Sequence, residues 1–174
     1  MLRSGFLSVL DQVLIWAALL IGGTMLAFMT IFGTINVLVM RKLMNAPIRG
    51  AEDLMILSLV ILVAIAIPFG GRVGAHIEIE ILESRMSPSF ARWSLFAVRV
   101  VCGALMLLMA WELVVAGQNA TKFGETTQQL LISYEPFYYL LAICIAVYAM
   151  VCLSDALQLS RTGEIKQIPL GDGP

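Results

Sequence analysis

VLIWAALLIGGTMLAFMTIFGTINVLVM, residues 13–40, contains no ionisable side chain. A helix needs about 20 apolar residues to cross a hydrocarbon core about 30 Å thick, and this run exceeds that length. Three further apolar runs follow at 54–71, 93–117 and 136–154. Lipid offers no partner to a free N–H or C=O, so each run has to satisfy its backbone internally, as a helix. The fold class that follows is an all-α integral membrane protein. Four transmembrane helices are expected at about 13–40, 53–71, 92–117 and 134–156, with short interfacial amphipathic helices at 1–12 and 74–87. The whole chain of 174 residues forms one such domain.

Composition agrees. The chain is 60% hydrophobic and 13% charged, with a mean hydropathy of +0.91, far from the balance of a soluble domain. A net charge of −1 gives no reason to expect a nucleic-acid partner. Cys102, Cys144 and Cys152 all fall within spans and form no C-x-x-C pair, so they read as small buried apolar residues. The first apolar run is too long for a cleaved signal peptide.

Four spans place both termini on one side. That side carries Arg3, Arg72, Arg85, Arg92, Arg99, Arg161 and Lys166; the other carries Arg41, Lys42, Arg49 and Lys122. The cationic excess puts the termini in the cytoplasm, N-in and C-in.

Local signals punctuate the runs. Asn45-Ala46-Pro47 stops the first helix and turns the chain. Glu52 and Asp53 open the second, where acidic side chains favour the positive end of the helix dipole. Pro68 removes a backbone donor near the other end, where a kink or local break is expected. Over 77–83 isoleucine alternates with glutamate, which matches a strand as well as a surface helix; an unpaired strand at a membrane surface leaves its edges open, so the helix is preferred. Ser87-Pro88 reads as an N-cap followed by proline at the first helical position. The third run carries Arg99 and Glu112, about 20 Å apart along a helix and so unable to pair. Arg99 either snorkels or meets Asp155; Glu112 lies where Lys122 or Arg49 could approach it. Residues 118–133 form a polar loop, a connector or a docking surface. Tyr134, Tyr138 and Tyr139 begin the fourth span as an aromatic belt.

The residue inventory excludes several chemistries. His76 is the only histidine, so bis-histidine haem within this chain is impossible, and one lone histidine is a poor zinc site. There is no nucleotide-binding loop and no redox cysteine pair, so no enzyme, no catalytic residue and no cofactor or metal of its own is expected. The spans are nearly all Leu, Ile, Val, Ala and Met, whereas solute sites need broken helices and convergent polar groups at mid-membrane. Such spans suit a scaffold that packs against another membrane protein.

The layout resembles the small membrane subunit of tripartite ATP-independent periplasmic (TRAP) transporters, the DctQ-like family. The resemblance rests on four spans in a chain of this length, on Glu52-Asp53 opening the second span, and on Arg72-x-Gly74-x-His76-Ile77-x-Ile79-x-x-Leu82 just after it. It covers the whole chain in architecture and residues 47–88 in motif. The second span lacks the tryptophan often found there in the family. The resemblance implies a bacterial inner-membrane protein that joins a large multi-span permease subunit holding the substrate and sodium sites. A periplasmic binding protein would deliver a carboxylate, such as a C4-dicarboxylate or sialic acid, for sodium-driven symport. The small subunit would steady the stationary part. Partner or lipid contacts are expected at Glu52, Asp53, Arg72, Gly74, His76, Arg99 and Glu112, with Arg72 and His76 anchoring one end of the second span and Glu52 and Asp53 the other. Rival readings are a four-span subunit of a tripartite tricarboxylate-type carrier, a membrane redox enzyme subunit, and a self-assembling channel or exporter.

Overall fold

The computed structural model describes residues 2–73 and 88–162. Four helical segments in it are long and apolar enough to cross a membrane: Val9–Leu43, Ala51–Gly71, Arg92–Phe123 and Glu135–Ser160. The first is a rod about 63 Å long over residues 2–43. It joins α1 (Leu2–Ala17) to α2 (Gly23–Thr34) through a π-helical stretch, Ala18–Gly22, and ends in a second, Ile35–Leu43. Thr24, Thr30 and Thr34 turn their hydroxyls back onto the carbonyls of Leu20, Leu26 and Thr30. A hydroxyl on an apolar helix thereby finds its acceptor four residues back.

The remaining helices are α3 (Ala51–Val73), α4 (Pro88–Phe123) and α5 (Glu135–Thr162). Their boundaries follow local chemistry. The rod ends at Leu43, and Asn45 takes φ 50° in the turn before Pro47. Gly50, at φ 77°, supplies the left-handed residue just before α3. Helix α3 runs on through Pro68 to Val73 without breaking. α4 starts at Pro88, where a missing N–H costs nothing. The Ser133 hydroxyl accepts from the Glu135 N–H and closes the start of α5. The expected interfacial helix at 74–87 lies outside the described residues.

Packing order differs from chain order. The rod packs on α3, α3 on α5, and α5 on α4. Among the described residues no comparable contact joins the rod to α4 or α5, or α3 to α4. The helices therefore form an open row, rod–α3–α5–α4, rather than a closed bundle. Close approach along the seams comes from small residues. Gly71 of α3 lies under the Tyr148 ring of α5, and Gly103 and Gly117 of α4 lie against Leu153 and Tyr139 of α5. Burial follows position in the row. In the most apolar stretch of α5, 44% of residues are buried; in that of the rod only 11% are, and in that of α4 only 17%. Ala142, Ile145, Tyr148, Ala149, Val151 and Cys152 make α5 the central helix.

Candidate functional site

The first polar constellation sits where the loops 44–50 and 124–134 meet. Asp53, in the first turn of α3, is buried, and its Oδ2 accepts from the backbone N–H groups of Gln129 and Leu130, both at 2.8 Å. Gln129 answers with its Oε1, which accepts from the Gly50 N–H at 2.6 Å. These bonds tie the α4–α5 loop to the start of α3 across more than seventy residues of chain. The loop is braced internally by Thr127, also buried: its N–H donates to the Ile132 carbonyl, and its hydroxyl accepts from the Ile132 N–H at 3.0 Å. An antiparallel bridge joins Thr126 to Ser133. Asn36 does the same service for the first loop. Its side chain is buried, and its Oδ1 accepts from the Ile48 N–H at 3.0 Å. Glu52, by contrast, points outward and meets Arg41 at 3.5 Å, with both side chains more than half exposed.

A second constellation holds the opposite end of the α4–α5 seam. Arg99 Nη1 lies 3.8 Å from Asp155 Oδ2, with side-chain exposures of 10% and 2%. One turn outward along α5, Arg92 donates from Nε to the Leu159 carbonyl at 3.0 Å and from Nη2 to the Ser160 carbonyl at 2.7 Å. A guanidinium near a helix C-terminus satisfies carbonyls that have no partner in the next turn and favours the negative end of the dipole.

The sequence-level candidates thus separate. Asp53 is internal and organises a loop. Glu52 is at the surface with Arg41. Arg99 is in the α4–α5 seam with Asp155, where snorkelling is not needed. Glu112 is exposed on α4, and among the described residues neither Lys122 nor Arg49 meets it. Lys122 is about 15 Å further along the same helix, beyond side-chain reach. The Arg72 side chain, Gly74 and His76 lie outside the described residues.

Several organising residues escaped the sequence reading. Asn36 is the one carboxamide in an otherwise apolar span, and its closeness in sequence to the Pro47 turn is a signal that could have singled it out. Gln129 and Arg92 carry no such signal, because their partners are remote in sequence, and Thr127 is one of several polar residues in a loop whose local fold the sequence does not single out.

What remains is apolar surface. On the rod, Val13, Trp16, Leu19, Leu20, Leu26 and Ile31 are exposed; on α4, Trp93, Val98, Val101, Leu105, Leu108 and Trp111 are. A shallow groove bounded by Val9, Gln12, Val13, Trp16, Leu20 and Ile21 is one face of a single helix, so it cannot surround a solute. Among the described residues no cluster of His, Cys, Asp and Glu is placed to hold a metal. Chemically the arrangement offers a braced apolar row with polar clasps at both ends. The model of the family described as tripartite ATP-independent periplasmic transporters, DctQ component, matches residues 29–162. A comparison with curated proteins finds no match.

Proposed function

The chain belongs to the DctQ component family of tripartite ATP-independent periplasmic transporters, and on that premise we propose that it acts as the static brace of a carboxylate symporter. The family is one of transporter subunits, and the chain is the small membrane subunit of such a system. The observation that carries the proposal is the open row. Its outer helices, the rod and α4, leave most of their apolar residues uncovered, while α5 and the two loops are tightly fastened. An open, internally clasped row adds area and stiffness to a larger membrane protein without supplying a pathway of its own.

In this reading the partner is a large multi-span permease subunit that holds the substrate and sodium sites. A periplasmic binding protein delivers an organic acid to it. The termini lie in the cytoplasm of a bacterial inner membrane, as the cationic excess on that side favours. Glu52, Arg72, Gly74 and His76 are proposed as partner or lipid contacts. Asp53 and Arg99 contribute indirectly, by holding the row in shape.

The test is uptake in membrane vesicles that contain the binding protein, the large subunit and a sodium gradient, with and without this chain. Uptake should require the chain, and the chain should co-purify with the large subunit. Substrate transport by the chain reconstituted alone would overturn the reading. Absence of any co-purifying multi-span protein would overturn it equally.

A further inference from the structure

Glu112 is the one exposed carboxylate far from either end of α4. The seam fixes its depth. Gly117 faces Tyr139, and Gly103 faces Cys152 and Leu153, so Glu112 is level with Ile143 and Cys144 of α5. That is about 12 Å from the start of α5 and about 16 Å from the end of α4, measured at the helical rise. The apolar run of α4 ends at Gly117, level with Tyr139 of the aromatic belt, so the carboxylate lies about 7 Å inside that face of a hydrocarbon core about 30 Å thick.

Its direction is equally defined. Val101, Leu105, Leu108 and Glu112 recur at helical spacing on one face, all exposed, with Trp111 beside them at 69%. Among the described residues Glu112 makes no hydrogen bond and no ion pair. An ionisable group at such a depth faces a protein partner or a water-filled cavity, because lipid tails cannot solvate it. The side chain tilts toward the N-terminus of α4, away from the nearer headgroups. A second copy of this chain is a poor partner, since its membrane-embedded cation, Arg99, is already committed to Asp155 in the seam.

We propose that the α4 face running from Val101 to Glu112 is the seat for a transmembrane helix of the large subunit, and that this helix presents a cationic side chain to Glu112 inside the hydrocarbon core. The proposal rests on the small-subunit reading given above and adds the docking surface and the chemistry of its partner. Apolar contact along Val101, Leu105 and Leu108 supplies area. The buried charge pair supplies register, because a shift of one turn along α4 would strand both charges in lipid.

The experiment recovers the tagged chain from membranes that also hold the large subunit, comparing wild type with Glu112→Gln and Glu112→Lys. Glu112→Lys should reduce recovery of the large subunit at least tenfold, and Glu112→Gln severalfold, at unchanged membrane levels of the chain itself. A photo-crosslinking residue at Leu108 should form an adduct with the large subunit. Undiminished recovery with Glu112→Lys overturns the docking face but leaves the small-subunit reading intact. A Leu108 adduct only to a second copy of the chain, or only to lipid, also overturns the docking face. If the wild-type chain itself recovers no large subunit, the small-subunit reading has failed and the docking proposal falls with it. Should Glu112→Lys fail to reach wild-type membrane levels, Glu112→Gln and the crosslink decide the outcome.

Discussion

Removing one member of the Arg99–Asp155 pair is expected to destabilise the chain far more than removing both. The charges are 3.8 Å apart and nearly inaccessible, at 10% and 2% side-chain exposure. At that separation and an effective dielectric constant of about 20, the Coulomb attraction is about 4 kcal/mol. Most of it offsets desolvation of the two groups while both are present. Asp155→Ala or Arg99→Ala forfeits the attraction and leaves the other charge buried, at a cost of about 3–5 kcal/mol. The double variant Arg99→Met, Asp155→Leu keeps volume and removes both charges, so it should fall within about 1 kcal/mol of wild type or exceed it. The assay is reversible unfolding of the purified chain in mixed micelles with increasing sodium dodecyl sulfate. The coupling energy from the four-cornered cycle is the readout. A coupling below about 0.5 kcal/mol, the level at which independent sites add, would refute the claim that the two charges hold the seam together.

Three further outcomes follow from the geometry. Gly71→Ala drives a methyl into the Tyr148 ring, so it should destabilise the α3–α5 seam by about 1–3 kcal/mol in the same unfolding assay, and adding Tyr148→Leu should recover much of the loss. Asn36→Ala leaves the Ile48 N–H without its acceptor and should cost about 1–3 kcal/mol, with faster hydrogen exchange at Ile48. Asp53→Ala removes the acceptor for two loop amides, so exchange at Gln129 and Leu130 should accelerate and the loop 124–134 should become sensitive to protease, while exchange within α5 stays slow.

That the chain holds four helices long and apolar enough to cross a membrane was legible from the sequence because the length of an apolar run is a local property, and lipid leaves the backbone no alternative to helix. Turn chemistry was legible for the same reason: Asn45, Pro47 and Pro88 act on their own dihedral angles and those of their neighbours. Pro68 shows the limit. Its missing donor marks a weak point, but α3 continues past it, because its other hydrogen bonds and its packing on α5 hold the axis together. The acidic pair illustrates another limit. Glu52 and Asp53 are adjacent and look equivalent as dipole partners, yet one meets Arg41 at the surface and the other grips a distant loop.

What the amino-acid sequence determined unaided is therefore a membrane chain of four helices, with charges at identifiable depths. Tertiary structure alone decided that these helices stand in a row with α5 at the centre, that Asp53 clasps Gln129 and Leu130, and that Glu112 faces outward. The physical reason is separation. Asp53 and Gln129 lie 76 residues apart, Gly50 and Gln129 lie 79 apart, and no periodicity or propensity carries information over that distance. Among spans that are uniformly apolar, which faces meet is set by the fit of small residues under large ones, such as Gly71 under Tyr148, and that fit exists only once both helices are in place.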